Sequence, residues 1–329
     1  MKCIGRYFKW IFAFSAAVII LFIVCFSRDE NVVTEYETKN YNKNLYTEKL
    51  FATDLCVASG NVDLEGITAS DTESLHSAAL FDLDSKQVDF SYQMFDKVYP
   101  ASTTKLMTAL VALKYGDLDG EVTVSENADK DSFAYDEQTC GLESGDQLTL
   151  SDLLNGLLLY SGNDNAVAIA EYIGGTMDKF ADMMNEEAKK LMATGTHFVN
   201  SSGLHDENHY TTAYDLYLIF QECLKYDEFV EIISSDSYTA DITGADGTVR
   251  QVTWEPTNYY ATGEAQSPDN VTIIGGKTGT TDPAGNCLVL LEKDKNDHPY
   301  ISIVMGADTK ALLYQDMTTL IKAIPEKNE

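Results

Sequence analysis

Three short stretches of the chain carry side chains that could do chemistry together. The first is "YPASTTKLMTAL", residues 99–110, where Ser102 and Lys105 stand three apart just after a proline. A serine hydroxyl is a poor nucleophile until something takes its proton. A neutral lysine can take it once burial or a neighbouring cation lowers its pKa. Residues i and i+3 face each other on a helix, so Ser-x-x-Lys is a compact way to build that pair. The spacing occurs once in the chain. On its own it also fits an ordinary helix start with a solvated lysine.

The second stretch is Ser161-Gly162-Asn163, in a break between two apolar helical runs. A hydroxyl and an amide there could pass a proton to a leaving amine and hold a substrate amide. Ser-x-Asn also begins at Ser59 and Ser125, but only Ser161 sits at a helix–helix break. The third stretch is "IIGGKTGTTDPAG", which holds Lys277, Thr278, Gly279 and Thr280 at the end of a β-patterned run. Glycine inside a strand weakens it and often marks the close approach of another backbone. A peptide lying along such an edge would be held by main-chain hydrogen bonds. Lys277 could bind a terminal carboxylate and also depress the pKa of Lys105. The plain alternative is a glycine-rich hairpin with an exposed lysine.

The elements that must position these residues follow from periodicity. "AALFDLDSKQVDFSYQ" alternates around a polar turn and predicts a β-hairpin at about 77–93. From Ser102 the pattern turns helical, with Leu106, Leu110 and Leu113 on one stripe and Gly116 as the stop. "SDLLNGLLLYSGNDNAVAIAEYIGG" gives two apolar helices broken at 161–163. "TMDKFADMMNEEAKKLMA" and "TTAYDLYLIFQECLKY" give two more, each led by a threonine cap. Strand patterns then return in "VTIIGGKTGT", "NCLVLLE" and "YISIVMGAD", the last two joined by the charged turn "KDKND". A helix, "TKALLYQDMTTLIKAI", closes the run. Strands thus begin and end the domain, and a block of helices is inserted between them. This predicts an α+β fold whose ends meet in one antiparallel sheet, with an inserted helical lobe.

Composition bounds the setting. The chain has 329 residues, 44% of them hydrophobic, enough for a sizeable core. It carries 52 acidic against 23 basic residues, a formal net charge of −29. Such a surface repels phosphate backbones, which argues against nucleic acid as a partner. Residues 10–26, "WIFAFSAAVIILFIVCF", form 17 apolar or small residues without a charge. That is the short end of a membrane span and long for a signal segment. Lys2, Arg6 and Lys9 precede it, while Asp29 and Glu30 follow Arg28. The positive-inside rule puts the N-terminus in the cytoplasm and the rest outside. No small-x-small cleavage site is obvious, so an uncleaved anchor is favoured over a cleaved signal. Val24 is too large for a lipidation site at Cys25.

The expected organisation is therefore a cytoplasmic tip and anchor at 1–28, a polar spacer at 29–49, one domain at 50–324 and a polar tail at 325–329. Cys56, Cys140, Cys223 and Cys287 are scattered through the exported part without metal-ligand spacing. They could pair outside the cell, but the simpler reading is small buried hydrophobes.

Taken together and in this order, Ser102-x-x-Lys105, Ser161-Gly162-Asn163 and Lys277-Thr278-Gly279 resemble the active-site set of the penicillin-recognising serine enzymes. "YPASTTKLMTALVAL", "LLLYSGNDNAVAIAEYI", "THFVNSSGLHDENHYTTAYDL" and "GGKTGTTDPAGNCLVL" are similar to the low-molecular-mass D-alanyl-D-alanine carboxypeptidases. The resemblance runs from about residue 50 to 324. It implies a β-lactamase/transpeptidase-like fold on a bacterial cell membrane, with the catalytic domain outside. Its substrates would be peptidoglycan pentapeptide stems, and β-lactam antibiotics would inhibit it. Ser102 would attack the carbonyl between the terminal D-alanines with Lys105 as base. Ser161 and Asn163 would shuttle protons and bind substrate. Lys277, with Thr278, Gly279 and Thr280, would bind the C-terminus, and the N–H groups of Ser102 and Thr280 would form the oxyanion hole. No metal or organic cofactor is implied.

The chain departs from the pattern of many relatives in two ways. Only 50 residues follow Gly279, enough for two strands and a helix, where many relatives carry a further β-rich domain. The expected anchor is N-terminal, and "PEKNE" is too polar for a membrane. Three other readings are weaker. "HDENH", His205 to His209, has the histidine spacing of a zinc helix, but Asp206 stands where glutamate is needed and the context is a loop. A class A β-lactamase would need a Glu-x-x-Leu-Asn segment between Asn163 and Lys277, and there is none. A non-catalytic β-lactam sensor would lack one of the reactive residues. A DD-endopeptidase would use the same chemistry.

Overall fold

In the computed structural model, which describes residues 51–63 and 75–324, the two ends of the domain meet in one sheet. The apolar segment at 10–26, the spacer at 29–49 and the tail at 325–329 lie outside the described residues. In chain order the strands are β1 (Ser77–Asp82), β2 (Gln87–Tyr92), β3 (Glu121–Thr123), β4 (Gln147–Thr149), β5 (Tyr238–Thr243), β6 (Val249–Trp254), β7 (Val271–Thr281), β8 (Gly285–Asp294) and β9 (Pro299–Ala307). The helices longer than one turn are α1 (Lys105–Tyr115), α2 (Leu150–Asn155), α3 (Asn163–Gly174), α4 (Met177–Lys190), α5 (Ala213–Cys223), α6 (Asp227–Ile233) and α7 (Lys310–Lys322).

The main sheet has the order β2-β1-β9-β8-β7, antiparallel throughout. The early hairpin joins the late strands because β1 pairs with β9, Ser77 opposite Met305 and Asp82 opposite Tyr300. Both faces of this sheet are covered. On one, Leu288, Leu290 and Val304 pack against Leu313, Met317, Leu320 and Ile321 of α7. On the other, Ala79, Phe81, Val289, Ile301 and Ile303 join the main core with α1 and α5. That explains the unbroken apolar run "CLVLL" in β8: neither face has water to turn a polar residue toward.

Helix α1 is more deeply set than its single predicted stripe suggests. Leu106, Met107, Ala109, Leu110, Val111 and Ala112 are all fully buried, so apolar contacts surround it. It runs between the sheet and the lobe of α2, α3 and α4, and Gly116 caps it as expected. The Thr176 and Thr212 hydroxyls accept from the N–H groups of Lys179 and Asp215, capping α4 and α5. The lobe also contains a second sheet, β3-β4-β5-β6, which sequence periodicity did not reveal. Two of its strands have three residues, too few to show a period. Arg250 on β6 clamps it to Asp146 beside β4 through both terminal guanidinium nitrogens.

The segment between α4 and α5 is tied to the approach to Ser102. Val98 and Thr211 exchange backbone hydrogen bonds of 2.9 Å. His209, buried, accepts at Nδ1 from the Val199 N–H (3.2 Å), so Nε2–H donates to Thr104 Oγ1 at 2.8 Å. Burial holds the His209 imidazole down at about 4, from an ordinary 6.5. The unfolded chain therefore binds this proton more tightly than the folded domain. The group's contribution to stability is complete above pH 6.5 and is lost as pH falls toward 4, by up to about 3 kcal/mol. Thermal midpoints should drop from pH 7 to pH 4, and drop less in His209→Gln. Equal slopes would refute a buried neutral His209.

Candidate active site

The three motifs converge where the sheet edge meets the lobe. Ser102 lies in a 3-10 turn, Ala101–Thr104, that runs into α1, so the helix predicted from Ser102 begins as a tighter turn. Ala101 enters it at φ +47°, a left-handed conformation that is costly for a residue with a side chain. Thr103 fastens the turn, donating from N–H and Oγ1 to the Pro100 carbonyl at 3.2 and 2.7 Å.

Lys105 has no exposed surface. Its Nζ stands 3.0 Å from Ser102 Oγ, 2.8 Å from Asn163 Oδ1 and 2.9 Å from the Ser202 carbonyl. The last two partners can only accept. A neutral amine would spend its two N–H groups on them and turn its lone pair to Ser102 Oγ, whose hydroxyl can donate. Burial lowers the Lys105 pKa to about 7, against the opposing influence of Cys140, Asp164 and Glu137. Burial is thus the leading cause, in place of the repulsion by Lys277 expected from the sequence. That repulsion falls on Lys277, which is pushed well below the usual lysine range, by burial first and by Lys105 second.

Ser161 follows a π-helical turn, Gly156–Tyr160, that interrupts the helical run. Its own φ is +69°, and α3 starts two residues later at Asn163. Asp164, in the first turn of α3, accepts from the N–H groups of Cys140 (2.9 Å) and Leu142 (3.1 Å). The Asn163 N–H donates to the Gln138 carbonyl at 2.8 Å. These bonds draw the 137–142 segment over the start of α3 as one wall of a cleft of about 620 Å³.

The opposite wall is β7, at the edge of the main sheet. Thr278, Gly279 and Thr280 line the cleft, and Thr278 Oγ1 lies 2.5 Å from Thr257 Oγ1. Lys277 stands behind this wall. It is 1% exposed, and its Nζ donates to Ser161 Oγ (2.8 Å) and the Thr278 carbonyl (2.9 Å). The exposed lysine of a hairpin turn is therefore the reading the geometry rejects. Lys277 places its Nζ beneath the threonines that face the cleft.

Two glycines permit this convergence. A Cβ on Gly279 would lie 2.9 Å from Ser102 N, 3.0 Å from Thr103 N and 3.1 Å from the Pro100 oxygen. Gly203, at φ +91°, lies under the same turn, where a Cβ would meet the Ala101 carbonyl oxygen at 1.8 Å. Sequence reasoning did not single out Ser202, Gly203, Asp164, Gln138 or Thr257 as individual residues. A backbone carbonyl or a buried cap leaves no mark in residue type. His205 and His209 diverge: His205 lines the cleft against the Tyr99 ring (4.6 Å between centroids), and His209 is buried. Among the described residues no group of His, Cys, Asp and Glu is arranged to hold a metal ion. Cys56, Cys140, Cys223 and Cys287 are buried free thiols.

A family model described as D-alanyl-D-alanine carboxypeptidase matches residues 66–309. The chain belongs to that family. It is 31% identical over 240 residues to the D-alanyl-D-alanine carboxypeptidase DacF of Bacillus subtilis, covering 71% of this chain and 57% of the relative. It is 33% identical over 222 residues to DacD of Escherichia coli, covering 64% and 52%. The chain thus spans a little over half the length of these curated relatives. Its fold is similar to that of the Streptomyces K15 DD-transpeptidase, with a TM-score of 0.70, 26% identity, and coverage of 76% of this chain and 96% of that one. Penicillin binding protein 6B from Escherichia coli superposes with a TM-score of 0.67 at 27% identity, with 81% of each chain covered.

The contact at Gly279 can be tested directly. In Gly279→Ala the methyl group must push β7 and the Ser102 turn apart, at a cost of about 1–3 kcal/mol. A displacement of that kind at a reacting centre lowers rates by about 100-fold. Acylation by a fluorescent penicillin should fall by that order in a variant that still melts cooperatively. Parental acylation would show that the two backbones do not meet there.

Proposed function

We propose that residues 50–324 form a serine D-Ala-D-Ala carboxypeptidase that removes the terminal D-alanine from peptidoglycan pentapeptide stems through an acyl-enzyme on Ser102. One observation carries the reading: Lys105 is buried, and its nitrogen is held between two obligate acceptors and the Ser102 hydroxyl. With a pKa of about 7, a substantial share of this amine is neutral near neutral pH, the condition for a general base.

The peptide C-terminus lies along the free edge of β7, as an added strand would. Its carboxylate meets the hydroxyl of Thr278, with Lys277 Nζ behind it and Thr280 alongside. Ser102 Oγ attacks the carbonyl carbon between the two D-alanines while its proton passes to Lys105 Nζ. The N–H groups of Ser102 and Thr280 stabilise the oxyanion. As the C–N bond breaks, a proton reaches the leaving amine through Ser161, which lies against Lys277 Nζ. D-Alanine departs, and water then hydrolyses the ester and returns Ser102 to its resting state. Asn163 orients Lys105 and the substrate amide. A β-lactam follows the same first step, and its ring nitrogen stays tethered to the acyl group. The chain's family and its similarity to DacF and DacD support this assignment.

The segment at 10–26 serves as the membrane anchor in this reading, with 29–49 as the spacer. The basic residues before it and the acidic ones after it favour a domain outside the cell. Among the described residues no helix is long and apolar enough to cross a membrane.

Two measurements test the proposal. Ser102→Ala should abolish both covalent penicillin labelling and D-alanine release. Persistent labelling of that variant would move the nucleophile elsewhere. Protease added to intact protoplasts should digest the domain. Protection of the domain while a known external protein is cut would reverse the orientation.

A further inference from the structure

Glu137 is not among the residues the proposed chemistry uses, yet it reaches into it. It comes from the segment between β3 and β4, is partly exposed, and lines the cleft beside Ser102, Ser161 and Asn163. Its Oε2 lies 3.5 Å from Asn163 Nδ2. The other end of that amide is committed, because Asn163 Oδ1 accepts from Lys105 Nζ at 2.8 Å. An amide can be turned over, exchanging its donor and acceptor ends. Turned over here, it would aim its N–H groups at Lys105 and its oxygen at a carboxylate. Glu137 penalises that orientation from one side as the Lys105 ammonium does from the other.

The surroundings of Lys105 make Glu137 distinctive. Asp164 at the start of α3 and the Cys140 thiol also act on it electrically, the repulsion between the two lysines falls on Lys277 of β7, and His209 lies one residue along, at Thr104. Asp164, Cys140, Lys277 and His209 are all buried. The Asp164 carboxylate is spent on the N–H groups of Cys140, Leu142 and Asn165. Glu137 is the carboxylate among these that opens to the cleft, where a bound peptide meets it.

We propose that Glu137 is a positioning residue: through Asn163 it orients Lys105, and through its charge it raises the pH at which Lys105 becomes a base. The inference rests on the acyl-enzyme reading above. Its negative charge favours the protonated form of Lys105, so its removal makes Lys105 neutral at lower pH. The acid limb of the acylation profile then moves down. The two roles separate in two variants. Glu137→Gln removes the charge and keeps an acceptor for Asn163. Glu137→Ala removes both and frees the amide to turn over.

The test is the pH profile of Ser102 acylation by a chromogenic cephalosporin, from pH 5 to 9, for the full chain and both variants. Expected for Glu137→Gln is an acid limb moved down by about half a unit or more, with the plateau within about twofold of the parent. Expected for Glu137→Ala is the same displacement with a plateau about tenfold lower, the size of one lost charge-assisted hydrogen bond. Glu137→Asp should restore the limb toward the parent's position. A residue that only braces the loop would lower the plateau and leave the limb in place, so an unmoved limb in Glu137→Gln overturns the proposal. If the parent is not acylated on Ser102, the proposed function itself fails, and the two failures are thereby distinguished.

Discussion

The site depends on one ammonium group in a dry place. Taking a lysine nitrogen wholly out of water is costly, and an isolated one would lose its proton or unfold its surroundings. Lys105 is retained there because three oxygens converge on it: Ser102 from the same turn, and, from distant parts of the chain, Asn163 of α3 and the Ser202 carbonyl of the loop before α5. Each of those oxygens requires an element to hold it, so the position of one nitrogen specifies much of the lobe. The compromise between burial and hydrogen bonding leaves the amine able to gain and lose a proton under ordinary conditions.

The second lysine follows from the first. Lys277 is equally buried, and two cations so close in a low-dielectric interior repel each other. Ser161 lies against Lys277 and Asn163 against Lys105, so two residues of one short break in a helix serve both. Strained backbone lies at this junction, at Ala101 and Ser161, where α1 and β7 meet the lobe. A rigid sheet on one side and a buried helix on the other are what hold such conformations in place.

Much of this was legible in the sequence. Ser102, Lys105, Ser161, Asn163 and Lys277 lie in three motifs whose residue types announce their chemistry, and the geometry brings all five together. The main sheet was legible because β8 and β9 are long and apolar, β7 opens on an apolar run, and a polar turn parts the two strands of the early hairpin. What escaped has physical reasons. The strands of the second sheet are short, or half exposed and polar, as in β5 and β6. Ser202 contributes a backbone oxygen, which any residue could supply. The withdrawal of Lys277 behind Thr278 depends on strand register, and the sequence does not state where a lysine's nitrogen ends. Glu137 was silent because it meets Asn163 only after the loop folds over α3.

The pairing of β1 with β9 also bears on how the molecule comes into being. Ser77 finds its partner at Met305, near the far end of the domain. Contacts of such long sequence separation form late, because a long loop must close before they reward it. The first hairpin and α1 therefore emerge from the ribosome with no sheet to lie on. Cys56 Sγ, which reaches the Asp82 carbonyl of β1, lies deep in the finished core and is shielded only once that core has closed. Closure of a single sheet by its final strand is thus also a step in sealing that thiol away.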